Sequence, residues 1–459
     1  MISKSYFIGE HIAEVEKYYE FIKELGKGSY GQVLRCQNKE TGNVYACKKM
    51  NKKKIKNKEQ FKTEIDLLRA TDHPNIIKLY DIFEDNSYIY LIMEECNGGE
   101  FFDSLAKRAK EKKMYTEKEC AKIFKQILEA VNYLHAHGVC HRDLKPENIL
   151  FSNVADDSSL KLIDFGLSKV LDGDKGKMKG AVGTTFYMAP EVFTGTYDEK
   201  CDIWACGIIL YIMLCGKPPF YSSDEEELKK KICNMKYNFN YSEFDVVSKD
   251  AKDIIKSILV EPKKRPSASE LLNTPWIKEN APHATGESLK ENWKNVQRYS
   301  KLDLVQKSII NFTAFHLTSK ETKEFVEMFK SLDQNSDGVL SLDEIKQGVA
   351  DCKFGEKGEN ICKLFEEMDV DKNGLINYTE FISALMDYQK IKENQLLECF
   401  NGYDADDSGK ISFKEFCEMI KPQNEEEKKE LKELYSQFDT DGDGEISLKE
   451  FKEGFKKQK

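Results

Sequence analysis

The chain has 459 residues, an apolar fraction of 40% and a net charge of −10, which allows about three domains with cores of ordinary size. The charge is uneven: from Thr318 to Lys459 there are 34 acidic against 21 basic side chains, about −13, so the first 317 residues sum to about +3. An acidic third of this kind speaks for cations rather than nucleic acid, and the longest apolar runs, such as residues 208–215, are far too short to span a bilayer. The thirteen cysteines are odd in number, scattered and without a C-x-x-C pair, so a reducing, cytoplasmic setting is expected, with neither a disulfide framework nor a zinc site. The start, Met1-Ile2-Ser3, lacks the glycine that N-myristoylation needs, so no lipid anchor is read there.

From about Tyr19, short β-rich segments alternate with turns, as in a small antiparallel sheet. Between two of them lies Gly26-Lys27-Gly28-Ser29-Tyr30-Gly31-Gln32-Val33, where glycines let a backbone close over a polyphosphate with no Cβ in the way. A dinucleotide fold would continue as a helix, whereas Val33-Leu34-Arg35-Cys36 has strand character. Lys48 follows the apolar pair Ala46-Cys47 on a predicted strand and can steady phosphate charge; Lys49 and Lys52 to Lys54 are expected on a solvated surface. Phe61, Ile65 and Leu68 then share one face of a predicted helix that also carries Glu59, Glu64 and Asp66.

A strand over residues 88–93 ends in Glu94-Glu95-Cys96-Asn97-Gly98-Gly99-Glu100, and residues 116–137 place Ile123, Ile127, Ala130 and Leu134 on one helical face. Next comes His141-Arg142-Asp143-Leu144-Lys145-Pro146-Glu147-Asn148. Here Asp143 can accept a hydroxyl proton, Lys145 can neutralise a phosphate and Asn148 can ligate a hard cation, the set that phosphoryl transfer to a hydroxyl requires. A short strand over residues 160–163 delivers Asp164-Phe165-Gly166, and Ala189-Pro190-Glu191 follows. Between Gly166 and Gly183 the only hydroxyl is Ser168.

Residues 141–148 match H-R-D-L-x-x-x-N, and with the glycine flap, Lys48 and Asp164-Phe165-Gly166 in order the chain resembles the protein kinases. The resemblance implies an α+β bilobal protein kinase fold over residues 19–277, after an N-terminal extension of residues 1–18, using ATP and Mg²⁺. It implies that Leu25, Gly26, Gly28, Gly31, Val33 and Ala46 enclose the nucleotide and that Glu64, rather than Glu59 or Asp66, pairs with Lys48. Backbone groups of Glu94 and Cys96 would hold adenine, with Met93 guarding a narrow back pocket. Asp143 would be the base, Lys145 would stabilise the transferring phosphoryl group, and Asn148 and Asp164 would hold Mg²⁺. Thr184 matches a hydroxyl that contacts the base, which points to Ser/Thr specificity; Asp202 and Trp204 would support the loop, and Arg265 would pair with Glu191. The usual activating phosphosite falls on Gly180, so phosphorylation there is not expected to switch the enzyme. Glu100 and Glu147 would flank the peptide channel and favour an Arg three positions before the target, although Glu100 can equally hold the ribose.

Four segments beginning at Asp333, Asp369, Asp404 and Asp439 repeat at spacings of 36, 35 and 35 residues. Each has oxygen donors at positions 1, 3, 5 and 12, a glycine at 6 and a carbonyl at 7, the pattern of the EF-hand Ca²⁺ loop. The ligand sets are Asp333, Asn335, Asp337, Val339 and Glu344; Asp369, Asp371, Asn373, Leu375 and Glu380; Asp404, Asp406, Ser408, Lys410 and Glu415; and Asp439, Asp441, Asp443, Glu445 and Glu450. Residues 318–459 are therefore expected to be an all-α region of paired EF-hands taking up to four Ca²⁺, loop three being weakest because Ser408 is neutral and Lys410 basic.

Residues 278–317 join the two parts. Residues 281–286 have linker composition, and residues 289–315 are read as one helix with Trp293, Val296, Tyr299, Leu302, Val305, Ile309 and Phe312 near one face. Five basic residues against two acids make it either a calmodulin-type target or a buried connector. Kinase, basic junction and four EF-hands in this order resemble the calcium-dependent protein kinases of plants and protozoa, over all but the first eighteen residues. That resemblance implies a monomeric serine/threonine kinase of protein substrates, autoinhibited by its junction without Ca²⁺. The junction helix would engage the chain's own EF-hand lobes, so that no separate calmodulin is needed.

Overall fold

The computed structural model describes residues 8–12, 14–28, 31–154, 159–170, 178–179, 183–281, 287–351, 358–422 and 424–457. Its first half opens with a six-stranded sheet made by β1 (Gly9–His11), β2 (Tyr19–Gly28), β3 (Gly31–Asn38), β4 (Val44–Asn51), β5 (Leu79–Glu84) and β6 (Tyr88–Met93), with helix α1 (Lys58–Ala70) between β4 and β5. The strand order is β1-β5-β6-β4-β3-β2, antiparallel except for β1, which runs parallel to β5. Part of the N-terminal extension is thus a sheet edge, a role the sequence pattern did not announce. The register sets Val33 opposite Lys48, and Ala46 opposite Met93.

The helical lobe below it contains α2 (Phe101–Glu111), α3 (Glu117–Ala136), the short strands β7 (Val139–Cys140), β8 (Ile149–Phe151), β9 (Leu160–Leu162), β10 (Lys169–Val170) and β11 (Met178–Lys179), α4 (Pro190–Thr194), β12 (Thr196–Tyr197), α5 (Lys200–Cys215), α6 (Glu225–Cys233), α7 (Lys249–Ile258), α8 (Ala268–Leu272) and α9 (Pro275–Asn280). Helix α3 starts at a capping box, Thr116 with Glu119. Helix α5 is apolar on all sides and buries every residue except Lys200 and Ile212, as a helix at the centre of a lobe must. Every described cysteine is a free thiol.

The junction departs from the single helix expected over residues 289–315. It folds as α10 (Glu287–Tyr299) and α11 (Leu304–His316), because Asp303 and Gln306 form a capping box that starts a new helix. Helix α11 is buried from Val305 through Phe315, Lys307 included, which pairs with Glu367. This second half is therefore a buried connector rather than a one-sided basic helix. The expected apolar face is nonetheless used, since Trp293, Val296, Tyr299, Val305, Ile309 and Phe312 are all buried.

The remainder is built from α12 (Ser319–Leu332), β13 (Val339–Leu340), α13 (Leu342–Asp351), α14 (Gly358–Met368), β14 (Ile376–Asn377), α15 (Tyr378–Leu385), α16 (Glu393–Tyr403), β15 (Lys410–Ser412), α17 (Phe413–Ile420), α18 (Glu425–Phe438), β16 (Glu445–Ser447) and α19 (Leu448–Lys457). The loops pair through β13–β14 and β15–β16, both antiparallel. Helix α11 packs against α15 of the first pair and α16 of the second, so the junction is gripped by both. No described helix is long and apolar enough to cross a membrane.

Candidate functional site

The cleft between sheet and helical lobe collects the predicted residues. Lys48 on β4 meets Glu64 on α1, Nζ to Oε1 at 2.8 Å, with Glu64 only 2% exposed. Glu59 lies in the exposed first turn, so Glu64 is the acid that the helix turns inward. The same helix is tied to the activation segment, the stretch from Asp164 to Glu191, since Gln60 donates from Nε2 to the Gly166 carbonyl. At Gly31 an added Cβ would stand 1.9 Å from the Lys49 carbonyl, so the flap closes onto β4 only with glycine there. Leu25 is exposed on β2, while Gly26 and Gly28 pair with Val33 and Gly31 across the hairpin. The tip, Ser29 and Tyr30, lies outside the described residues.

At the rear, Met93 is half-buried against the core. Glu94 spends its N–H on the Lys78 carbonyl at 3.0 Å; among the described residues no hydrogen bond takes its carbonyl or the Cys96 N–H. The Glu94 side chain is buried, paired with Lys161 at 2.9 Å and accepting from the Ser319 hydroxyl. That last contact, from the EF-hand region to the nucleotide end of the cleft, carried no sequence signal.

The catalytic loop is a closed network. Asp143 Oδ2 accepts from Lys145 Nζ at 2.7 Å and from Asn148 Nδ2 at 3.1 Å; its Oδ1 accepts the Thr184 N–H and hydroxyl, both at 3.2 Å. Lys145 Nζ also donates to Thr184 Oγ1 at 3.0 Å. Asp164, two residues after β9, holds a left-handed backbone with φ 65° and accepts the Gly166 N–H at 3.2 Å. Arg142 is left-handed too, φ 68°, and strain of that kind persists where surroundings over-determine it. Here the surroundings are Asp202 on α5, which accepts the His141 and Arg142 N–H groups at 2.8 Å each and contacts His135 at 2.9 Å. Burial opposes ionisation of Asp202, yet these donors hold it below the usual carboxylate range. Burial likewise keeps His141 below the usual imidazole range, its ring edge-on to Phe165.

Arg265 pairs with Glu191 at 2.6 Å and 3.2 Å, donates to the Ile258, Lys200 and Val260 carbonyls, and lies over the Trp204 ring. Arg142 donates from Nε to the Leu167 carbonyl, and Ser168 is buried with its hydroxyl on the His141 carbonyl. Gly180 lies outside the described residues, but β11 pairs with β12, so backbone pairing holds part of the segment. Glu100 stands at the start of α2 and is raised by burial and by the nearby charges of Asp103 and Glu147. Glu147 keeps a buried carboxylate oxygen with no hydrogen-bond partner among the described residues.

The four loops repeat one geometry. Position-1 carboxylates accept the N–H of Gly338, Gly374, Gly409 and Gly444 at 2.8–3.0 Å, glycines held at φ 80–91°, where a side chain would strain the turn. Glu344, Glu380, Glu415 and Glu450 each accept N–H groups from both ends of their loop. Asp369, Asp371 and Glu380 bring oxygens within 4.8 Å of one another, as do Asp404, Asp406 and Glu415, and Asp439, Asp441 and Glu450. Loop one has an amide at its third position, and Asn335 donates to Asp337 at 2.8 Å. Val339, Leu375, Lys410 and Glu445 sit at position 7, after position-5 Asp337, Asn373, Ser408 and Asp443, whose side chains accept their N–H groups. Burial, helped by a neighbouring carboxylate, raises two of the ligating acids: Asp333 is pushed up to about 8 by burial and Asp337, and Glu380 well above its range by burial and Asp371. Such all-oxygen sets fit a hard divalent cation of Ca²⁺ type. Lys410 turns away from loop three onto Asp443 and Glu445 of loop four.

A two-lobed cleft with a Lys–Glu pair, an Asp-centred loop and four cation loops defines a protein kinase joined to EF-hands. The family model "Protein kinase domain" matches residues 19–277, and "EF-hand domain pair" matches residues 322–386, 359–421 and 393–456. The chain is 40% identical over 390 residues to calcium-dependent protein kinase 5 of Plasmodium berghei (strain Anka), covering 83% of this chain and 68% of that protein. It is 39% identical over 414 residues to calcium-dependent protein kinase 4 of Plasmodium falciparum (isolate 3D7), covering 85% and 77%. The chain belongs to the calcium-dependent protein kinase family, serine/threonine kinases with their own EF-hands.

Proposed function

We propose that residues 19–277 transfer the γ-phosphate of ATP to a Ser or Thr of a protein substrate, and that residues 278–317 and 318–459 switch this on with Ca²⁺. The observation that carries the catalytic half is the network joining Asp143, Lys145, Asn148 and Thr184 beneath the paired Lys48 and Glu64. Asp143 orients the substrate hydroxyl and takes its proton, while Lys145 faces the transferring phosphoryl group. Lys48, aimed by Glu64, holds the inner phosphates, and the Glu94 carbonyl and Cys96 N–H take the adenine edge. Asn148 and Asp164 would hold Mg²⁺, which neutralises charge between the phosphates. The unpartnered oxygen of Glu147, beside Glu100, supports a basic residue in the substrate, placed three positions before the target.

For the switch, bracing is better supported than a plug. EF-hand residues hold the kinase through Asp72, Asn75, Glu94, Glu129 and Asn132, and through Asn43 and Tyr45 on the sheet, while Lys78 donates to the Phe315 carbonyl of the junction. None of the described EF-hand residues hydrogen-bonds or ion-pairs with Asp143, Lys145, Asn148, Asp164 or Thr184. Several contacts fall on residues 72–78, which lead directly out of the helix carrying Glu64. The junction then inhibits without Ca²⁺ by withholding the brace. A chain truncated after Asn280 tests this: bracing predicts an inactive kinase with folded lobes, and full calcium-independent activity would establish a plug.

A further inference from the structure

The first cation loop differs from the other three in where it sits. Its N–H groups turn inward: Asp337 N donates to Asp333 Oδ1 at 3.2 Å and Gly338 N to Asp333 Oδ2 at 2.9 Å. Its outward carbonyls at positions 3 and 4 are taken by the kinase lobe, Asn132 Nδ2 on α3 donating to Asn335 O at 3.2 Å and to Ser336 O at 2.6 Å. The peptide between Ser336 and Asp337 is therefore polarised from both sides, with the Asn132 amide on its carbonyl and the position-1 ligand on its N–H. Hydrogen bonds linked through one peptide strengthen each other. Gly338 closes the fit, since a Cβ there would lie 2.4 Å from Tyr133 Cδ2 and 3.0 Å from His73 Cδ2. Lys330, just before the loop, bridges Asn75 at 2.7 Å and Glu129 at 2.6 Å.

Loops two, three and four place Lys372, Asp407 and Gly442 at position 4 with the same left-handed turn as Ser336. Among the described residues, no kinase side chain donates to their carbonyls. At this peptide, though not in every contact with the kinase, since Thr379 of loop two also meets Asp72 and Asp407 of loop three meets Tyr18, the other loops serve as internal controls.

We propose that Asn132 is a positioning residue of the first calcium site, so that loop one reaches full Ca²⁺ affinity only when seated on the kinase lobe. This rests on the reading that the loops bind Ca²⁺. The kinase lobe is then part of a calcium site as well as its target, and by linkage Ca²⁺ in loop one strengthens the docking that raised its affinity.

The test is a calorimetric Ca²⁺ titration of the full chain, of Glu344→Gln, of Asn132→Ala and of the isosteric Asn132→Asp, whose carboxylate cannot donate. Glu344→Gln identifies loop one as the binding class that disappears. In both Asn132 variants that class should weaken about tenfold, while the other three stay within about twofold and report that the EF-hands remain folded. In the Glu344→Gln background, Asn132→Ala should change nothing further. Unchanged affinity of the loop-one class, or equal weakening of all four, overturns the proposal. If Glu344→Gln removes no class at all, the calcium reading of loop one fails instead, and the proposal with it.

Discussion

Asp72→Ala removes one carboxylate more than 300 positions from its partner. Asp72 is 5% exposed, and its oxygens accept the Thr379 N–H at 3.0 Å and hydroxyl at 3.1 Å, in the first turn of α15. Thr379 directly precedes Glu380, position 12 of loop two and its closing ligand in the proposed switch. A carboxylate at a helix N-terminus is favourable, and bonds to a charged group contribute about 1.5–3 kcal/mol each. Less the relief of no longer burying the charge, the loss is about 2–4 kcal/mol of docking free energy. The buried Lys78 ammonium also loses a nearby counter-charge. Shared between the two ions of the first pair, this calls for about 5- to 30-fold more calcium for half-activation. The assay is peptide phosphorylation against buffered free calcium, with Asp72→Asn as the control that keeps an acceptor and should shift less. Half-activation at the parent's calcium concentration, with the parent's maximum, would refute the bracing role.

Asp143→Asn should lower kcat by about 10²–10⁴-fold while calorimetric calcium binding stays unchanged, because in the proposed mechanism Asp143 acts only at the substrate hydroxyl. Lys410→Ala should strengthen calcium binding to the second loop pair, since it removes an ammonium held against Asp443 and Glu445; calorimetry of the full chain reads it. The pH dependence of docking should contain two opposed contributions from the face between the sheet and the EF-hands. Glu398, hydrogen-bonded by Tyr45 and Asn43, is pushed up to about 7 by burial and by the charges of Asp81 and Glu321, so its contact weakens as pH rises from about 4.5 through 7. His316, buried on α11 against Tyr80, is lowered to about 4 by burial, so its packing weakens as pH falls from about 6.5 towards 4. Glu398→Gln should erase the loss at rising pH and leave the acid-side loss, read as melting temperature with calcium across about pH 5 to 8.

What was legible in the sequence was local. His141 to Asn148 and the twelve-residue loops carry their chemistry within one turn of chain, so residue type and spacing alone place the Asp143 and Glu344 carboxylates. The choice of Glu64 over Glu59 and Asp66 rests on the resemblance to the kinases, and the helix buries Glu64 while leaving the other two exposed. The break in the junction was also local, and the signal was present: Asp303-Leu304-Val305-Gln306 is a capping box, outweighed by an apolar stripe that continues across it. The bracing face was not legible. Asp72 with Thr379, Asn132 with Ser336 and Glu94 with Ser319 are ordinary polar residues separated by 204 to 307 positions, and nothing in either stretch specifies the other. Strand β1 was missed for a similar reason, since three residues at a parallel edge show no alternation to read.

The most direct test measures phosphorylation of an Arg-x-x-Ser peptide by the purified full chain, with calcium and with chelator and no other protein present. A kinase braced by its own EF-hands should be active with calcium and nearly silent without it. Equal activity in both conditions would contradict the switch while leaving the catalytic site in place.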